Sequence, residues 1–394
     1  MLKDKNILLV VSGGIAAYKA IDLASRLKKM GAVVRTILTK SALEFVGAIN
    51  FRAITGQATY TDQFDLDEPI AHITLADWAD LMVIAPATAN IIGKMANGIG
   101  DDLATSTMLA FHKPLLLVPA MNVNMYHNPA VQNNIETLKL RGIHLLIPEK
   151  GMLACGYEGR GKYPPNEEVI PAIITYLKYS QPLSTKYLIT LGASQEDLDP
   201  MRFITNHSSG KMGLALARAS YLRGGQVSVI HSRISEKLPY YLDQVSKTLS
   251  AAEMFLQVSR EYQNAQVIIM CAAVADYTPA QKEESKIKKS EDMNLKLKRT
   301  QDILKYLGNN KEPGQVLVGF AAESENLIEN AQEKLKKKNL DLIIANNISV
   351  SQSDQSLAYL ITADKVEEFQ GTKFELANKI IDTIQVIKKD VNKY

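Results

Sequence analysis

From Asp199 to Gly213 the chain reads Asp-Pro-Met-Arg-Phe-Ile-Thr-Asn-His-Ser-Ser-Gly-Lys-Met-Gly. This places Arg202, Asn206, hydroxyls, a lysine and two glycines between an apolar strand-like stretch at 187–191 and a helix-like one at 214–223. Small residues let a backbone approach a phosphate closely, and the amide groups freed at a helix start favour negative charge. The pattern predicts a site for a phosphorylated ligand. Shorter segments in the first half repeat the theme. Ser12-Gly13-Gly14 follows the first apolar run but lacks the full glycine spacing of a dinucleotide-binding turn, so it indicates a phosphate without saying which. Thr39-Lys40-Ser41 and Thr88-Ala89-Asn90 follow the next two runs. Hydroxyls and amides at the carboxyl ends of parallel strands lie where ligands bind in open α/β sheets.

Three single residues suit proton and carboxylate chemistry. His72 follows Asp67-Glu68-Pro69-Ile70 in what reads as a loop, and an imidazole exchanges protons near neutral pH. A lone histidine is more often structural than catalytic. Asn122, in Pro119-Ala120-Met121-Asn122, presents an amide after a buried strand; its bland alternative is a capped turn. Cys155 stands among glycines and the cations Arg160 and Lys162, where a thiol pKa is depressed and a flap is sterically easy. Cys271 lies within apolar residues and reads as inert.

The elements that position these groups follow a βαβ grammar. In the first half a buried run at 7–11, a glycine turn, a helical spacing at 15–30 and a run at 33–38 make one unit, with further strands at 81–85, 115–118 and 144–147 and a helix at 167–178. The second half restarts with strands at 187–191, 226–230, 267–271, 316–319 and 342–345, helices at 214–223 and 251–262, and a last helix at 374–388. Runs apolar throughout suit parallel sheets covered on both faces. The expected fold is α/β, two doubly wound, mostly parallel Rossmann-like domains, the first flavodoxin-like. The expected boundaries are 1–180 and 186–394, with 181–185 as a polar, proline-bearing linker. The lysine- and acid-rich stretch 281–298 breaks the grammar and reads as a mobile loop over a ligand crevice.

Composition excludes several classes. A length of 394 residues suits two or three domains, and a net charge of +3 gives no field to attract nucleic acid or an anionic membrane. Two cysteines argue against a disulfide framework. No charged-then-apolar leader opens the chain, and no apolar run approaches the roughly 20 residues that span a bilayer. The expectation is a cytoplasmic protein with no membrane or nucleic-acid partner.

Taken together, Ser12-Gly13-Gly14-Ile15-Ala16-Ala17-Tyr18, His72, Pro86 to Asn90, Asp101-Asp102-Leu103, Pro119 to Asn122 with Met125, and Ala154-Cys155-Gly156 resemble the flavin-dependent cysteine decarboxylases, phosphopantothenoylcysteine decarboxylase in particular, over about residues 4–180. The resemblance implies FMN held by Ser12, Gly13, Gly14, Thr39, Ser41, Thr88, Ala89, Asn90 and Ala120. It also implies oxidation of a cysteinyl thiol to a thioaldehyde, loss of the carboxylate, and return of electrons to the enethiol. His72 would assist oxidation and decarboxylation, Asn122 would hold the substrate carboxylate, and Cys155 would supply a proton in the final reduction. The pattern departs from the family at Tyr126, where tryptophan is usual, and at Lys162, where arginine is.

From about Lys186 onward the chain resembles phosphopantothenate–cysteine ligase. The resemblance rests on the Asp199–Gly213 run, Ala272 to Tyr277, Lys286 to Lys289, Val318 to Glu323, and 331–341 with Lys334, Lys338 and Asn339. It implies that CTP activates the carboxylate of 4′-phosphopantothenate as an acyl-cytidylate, with Mg²⁺, before the cysteine amine displaces CMP. Ala272, Asp276, Lys286, Gln301, Asp302, Ile303, Leu304, Phe320, Lys334 and Lys338 would meet the nucleotide, with glutamine at 301 where proline is usual. Asn206 would bind the intermediate, Lys289 would assist its formation, and Arg202 would bind the substrate phosphate or the intermediate. The metal ligands stay unassigned. The resemblance further implies a homododecamer of decarboxylase trimers and ligase dimers. Two competing readings are a two-domain NAD(P) oxidoreductase, disfavoured by the incomplete glycine fingerprint, and a regulatory flavoprotein subunit, disfavoured by the joint presence of His72, Asn122 and Cys155.

Overall fold

The computed structural model describes all residues except 1, 65–69, 155, 180–182, 243, 289–293, 324, 348–354 and 392–394. Cys155 and Lys289 thus lie outside the described residues. The chain divides into two compact units, residues 1–181 and 182–394.

In the first unit, strands β1 (Asn6–Val11), β2 (Val33–Leu38), β3 (Thr59–Tyr60), β4 (Leu81–Ala87), β5 (Leu115–Pro119) and β6 (His144–Leu145) form a parallel sheet in the order β3-β2-β1-β4-β5-β6. Ile7 to Val11 and every residue of β4 are buried, as a sheet covered on both faces requires. The helix Ala17–Lys29 buries Ala17, Ala20, Leu23, Ala24 and Leu27, a stripe at the helical period. Each such leucine withdrawn from water contributes about 1.5–3 kcal/mol. An antiparallel hairpin, β7 (Glu149–Met152) and β8 (Glu158–Lys162), follows the sheet. His72 is not in a loop. It occupies the first turn of the helix Ala71–Trp78, because Ala71, Leu75 and Ala76 form an apolar face that the acidic run before it concealed.

The second unit contains β9 (Lys186–Leu191), β10 (Gln195–Asp197), β11 (Phe203–Thr205), β12 (Gln226–His231), β13 (Gln244–Lys247), β14 (Val267–Met270), β15 (Tyr277–Pro279), β16 (Leu297–Arg299), β17 (Val316–Glu323), β18 (Leu342–Asn347), β19 (Gln355–Ile361) and β20 (Val366–Thr372). Its main sheet runs β13-β12-β9-β14-β17-β18-β19-β20, parallel up to β18 and antiparallel across β19 and β20. Counted from its own first strand, the parallel part repeats the order of the first sheet, the doubly wound order whose switch point lies between the first and fourth strands. The antiparallel pair β19–β20 was not visible in the sequence reading. It closes through a turn in which the Thr362 N–H donates to Lys365 C=O at 2.9 Å.

Two segments behave differently from expectation. Leu183 and Thr185, expected in a linker, are held by the second unit: Leu183 N–H donates to Arg223 C=O at 2.6 Å, and Lys388 Nζ donates to Thr185 Oγ1 at 3.0 Å. The stretch 281–298 is anchored at both ends, with β16 paired to β15 and Lys282 Nζ 2.7 Å from Asp197 Oδ2.

Candidate active sites

At the switch point of the first sheet lies a cavity of about 870 Å³. Its walls include Ser12, Gly13, Gly14, Thr39, Ser41, Thr88, Asn90, Ala120 and Asn122, so the sequence-predicted turns converge, Ala89 excepted. Ser12 is the stitch between β1 and β4: its hydroxyl donates to Pro86 C=O at 2.7 Å and accepts from Thr88 N–H at 3.1 Å. Gly13 is required sterically, since a Cβ there would stand 2.4 Å from Ser41 Cβ and 2.8 Å from its backbone. The first two turns therefore pack flush into one cradle of small residues, with the helix Ala17–Lys29 opening just beyond it.

Asn122 caps the short helix Val123–Tyr126, its Oδ1 accepting from Asn124 N–H at 2.8 Å, which orients the amide. Met121 N–H donates to Gly161 C=O at 2.9 Å, clasping the hairpin β7–β8 onto the Asn122 loop. Met152, Leu153, Ala154 and Lys162 of that hairpin region line the cavity. His72 does not. Its Nδ1 is buried and has no hydrogen-bond partner among the described residues.

Sequence reading missed Lys19. It sits in the first turn of its helix, a position that disfavours a cation and so signals another purpose. Lys19 lines the cavity, donates to Tyr163 C=O at 3.4 Å, and lies 5.2 Å from the centre of the nearly fully buried Tyr163 ring. Burial, and then the nearby charge of Lys162, hold its ammonium below the usual lysine range. Lys162 itself is paired with Glu149 at 3.1 Å.

The second unit distributes its groups over separate crevices. One of about 360 Å³ is lined by Asn206, Ser208, Gly210, Lys211, Ala272, Asp276, Phe320 and Lys334, among others. Asn206 Nδ2 donates to Ala273 C=O at 3.3 Å, tying the motif to the end of β14. Gly213 lets the helix Lys211–Leu222 settle on β9, since a Cβ there would lie 2.3 Å from Leu191 Cβ. Phe320 is half-buried rather than core, and Lys334 Nζ donates to its carbonyl at 2.9 Å. A second crevice of about 500 Å³ is bounded by Met201, Arg202, Lys286, Ile287 and Lys288.

Gln301, Asp302, Ile303, Leu304 and Lys338 line neither crevice. Ile303 and Leu304 are core residues. Asp302 caps the helix Ile303–Asn310 by accepting from Lys305 N–H at 2.9 Å and pairs with Lys338 at 3.0 Å. Burial opposes its charge, but that amide and Lys338 prevail and hold the carboxyl below its ordinary range. Cys271, which lines the crevice of about 360 Å³, has its thiol pushed up to about 12 by loss of water, against an opposing pull from Lys373. The described residues contain no group of three or more His, Cys, Asp or Glu able to hold a metal ion, and no helix long and apolar enough to cross a membrane.

Two doubly wound units, the first with one small-residue cavity at its switch point and the second with separate crevices along its strand ends, define a two-domain α/β protein. A family model described as Flavoprotein matches residues 1–178, and one described as DNA/pantothenate metabolism flavoprotein C-terminal domain matches residues 183–387. The chain is 46% identical to the coenzyme A biosynthesis bifunctional protein CoaBC of Bacillus subtilis, over 89% of this chain and 88% of that one. It is 39% identical to the same protein of Haemophilus influenzae, over 97% and 98%. A crystal structure of the C-terminal domain of a CoaBC protein is 36% identical, covering 53% of this chain and 98% of that one, with a TM-score of 0.47. The chain belongs to the CoaBC family: it is a bifunctional enzyme of coenzyme A biosynthesis, with a flavoprotein decarboxylase half and a ligase half.

Proposed function

We propose that residues 1–180 are an FMN-dependent 4′-phosphopantothenoylcysteine decarboxylase and residues 186–394 a CTP-dependent phosphopantothenate–cysteine ligase, joined through 181–185. The observation that carries the first assignment is the single cavity that gathers the Ser12, Thr39, Thr88 and Asn122 turns. Its donor set fits a flavin mononucleotide: hydroxyls and backbone amides around a small-residue cradle for the phosphate, and a largely apolar wall with Ile15, Ile91, Met121 and Met125 for the ring. When bound, FMN supplies a two-electron acceptor and donor.

The chain's own residues do the rest. The Asn122 amide, oriented by Asn124, donates to the substrate carboxylate and positions it for loss. Cys155, which falls between β7 and β8 in the sequence, delivers a proton to the enethiol carbon. His72 takes and returns protons, and because it does not line the cavity of its own chain, it serves a cavity of a neighbouring subunit; a trimer of the flavoprotein half supplies that neighbour.

In the ligase half, Ala272, Asp276, Phe320 and Lys334 hold CTP, with Asp302 and Lys338 steadying the neighbouring helix start. Gln301, Ile303 and Leu304 support that segment from behind. Asn206 holds the acyl-cytidylate, while Arg202, Lys286 and Lys289 neutralise phosphoryl and phosphate oxygens. Mg²⁺ would bind the CTP phosphates and neutralise charge during activation of the carboxylate, as it commonly does at nucleotide sites. The ligase halves pair as dimers, which with the trimers builds a cytoplasmic homododecamer.

Purification and two assays test this. A yellow protein with an FMN spectrum, and CMP release that needs both 4′-phosphopantothenate and cysteine, are expected. A colourless chain that FMN cannot reconstitute sinks the first half, and turnover with ATP but not CTP sinks the nucleotide choice. Cys155→Ser should lower decarboxylation by on the order of 10²–10⁴-fold and accumulate an oxidised substrate, while ligase turnover continues.

A further inference from the structure

Asp199 has no role in the chemistry above, yet its carboxylate is fully buried and crowded with donors. Oδ1 accepts from Met201 N–H and Arg202 N–H, both at 2.8 Å. Oδ2 accepts from Arg202 Nε at 2.9 Å and from Ile287 N–H at 3.1 Å, and lies 2.6 Å from Arg202 Nη2. Arg202 Nη2 also donates to Ile287 C=O at 2.6 Å. Both polar groups of one peptide unit's residue, Ile287, are therefore held by the Asp199–Arg202 pair. Two further ties run alongside: Lys282 Nζ to Asp197 Oδ2 at 2.7 Å, and Glu283 N–H to Leu198 C=O at 2.9 Å.

A turn alone does not need this. The bonds to Met201 and Arg202 N–H make an Asx-type turn that a neutral asparagine forms equally well. The bond to Ile287 joins residues 88 apart in sequence and has no turn function. A buried carboxylate is costly unless paired and fully hydrogen-bonded, so its presence asks for a purpose that asparagine cannot serve. Burial by itself would raise this carboxyl's pKa; the amides of Met201 and Ile287 and the Arg202 guanidinium overcome that and hold it well below the usual range.

What the clamp joins are the walls of the crevice bounded by Arg202, Lys286 and Lys288. Lys286 and Lys288 flank the pinned Ile287, and Arg202 is gripped at its Nε–Nη2 edge. Without Asp199, three cations on two separate segments would repel one another and spread apart. We infer that Asp199 is a positioning residue of the ligase half, locking Arg202 to the Ile287 backbone so that Arg202, Lys286 and Lys288 present one preformed site to a phosphate-bearing ligand. The inference rests on the ligase reading and extends it to a residue that touches no substrate.

The test uses the full-length chain. CMP release by the unmodified chain is measured first, and its absence would overturn the ligase reading and the clamp together. With ligase activity in hand, Asp199→Asn places an NH2 donor against the donors of Ile287 and Arg202. The expected result is a KM for 4′-phosphopantothenate or CTP raised on the order of 10- to 100-fold, a smaller change in kcat, and unchanged decarboxylation of supplied 4′-phosphopantothenoylcysteine. The losses from Asp199→Asn and Arg202→Met should be non-additive in the double variant. Additive losses, or unchanged KM for both ligands, overturn the proposal. If Asp199→Asn does not fold, Asp199→Glu keeps the charge and displaces the carboxylate from the Ile287 N–H and the Arg202 guanidinium: a raised KM supports the clamp and an unchanged one overturns it.

Discussion

The two units share one parallel strand order and differ in how they connect the first strand to the first helix. The flavoprotein half uses the short turn Ser12–Ala16, and the ligase half the long excursion from Gly192 to Gly210. The short turn leaves the switch point open, so turns from three strands and the Asn122 loop surround one cavity of about 870 Å³. The long excursion fills the equivalent place: Ala193 bridges to Arg233 and Ala273, and Asn206 and Arg202 are carried to different crevices. Topology thus decides where ligands can bind, and the length of one loop decides whether the chemistry is pooled or divided. Divided chemistry needs a device to register its parts, which is where a buried carboxylate such as Asp199 is of use.

The sharpest way to break this contrast concerns the first unit. Its cavity is pooled, yet His72 lies outside it. His72→Ala and Asn122→Ala should each reduce decarboxylation by on the order of 10²–10⁴-fold, and co-expression of the two variants should restore a measurable fraction through mixed oligomers. No restoration would place both residues in one subunit's site and remove the reason for a trimer.

Next in size are the two close approaches. Gly213→Ala brings a methyl to 2.3 Å from Leu191 Cβ, and Gly13→Ala brings one to 2.4 Å from Ser41 Cβ. Overpacking of this kind costs about 1–3 kcal/mol. Calorimetry should show Gly213→Ala lowering the unfolding transition of the ligase half alone, with flavin retained, whereas Gly13→Ala should shed flavin and spare CMP release. Loss of both functions in either variant would mean that the units do not fail separately.

The smallest effect belongs to Asp302, the cap of the helix Ile303–Asn310 and the partner of Lys338. Asp302→Ala should cost about 1 kcal/mol, read by denaturant unfolding of the ligase half. The folded-state pKa of Asp302 is depressed, so its contribution is present above the ordinary carboxylate range near 3.9 and is lost as pH falls through the lower folded value. The difference between variant and parent should therefore persist at mildly acidic pH and shrink only below it; a difference that vanishes near pH 6 would contradict the assignment.

Much of the scaffold was readable because it is local. An all-apolar run such as Ile7–Val11 can be satisfied only in the middle of a covered sheet, and a helical stripe such as Ala20, Leu23, Ala24 and Leu27 can face only a core. The antiparallel pair β19–β20 escaped because β20 alternates only between exposed and half-buried positions, with none fully buried to mark an apolar face in the sequence. His72 escaped as a helical residue because the preceding acidic segment gave no start signal. Lys19 was missed although a cation in the first turn of a helix runs against the dipole. The anchoring of 281–298 was missed because charge content describes a segment and not its partners.

The sequence by itself determined the two α/β units, the glycine turns at their strand ends, and the residue types available for flavin, thiol and phosphoryl chemistry, since spacing and side-chain chemistry are properties of a few neighbouring residues. Only the tertiary structure decided that the first-half turns share one cavity, that His72 stands apart from it, and that Asp199 ties Arg202 to a peptide 88 residues away. Those outcomes depend on which strands become neighbours and on which buried donors meet which carboxylate. Such pairings are set by closing the whole sheet and satisfying every enclosed polar group at once.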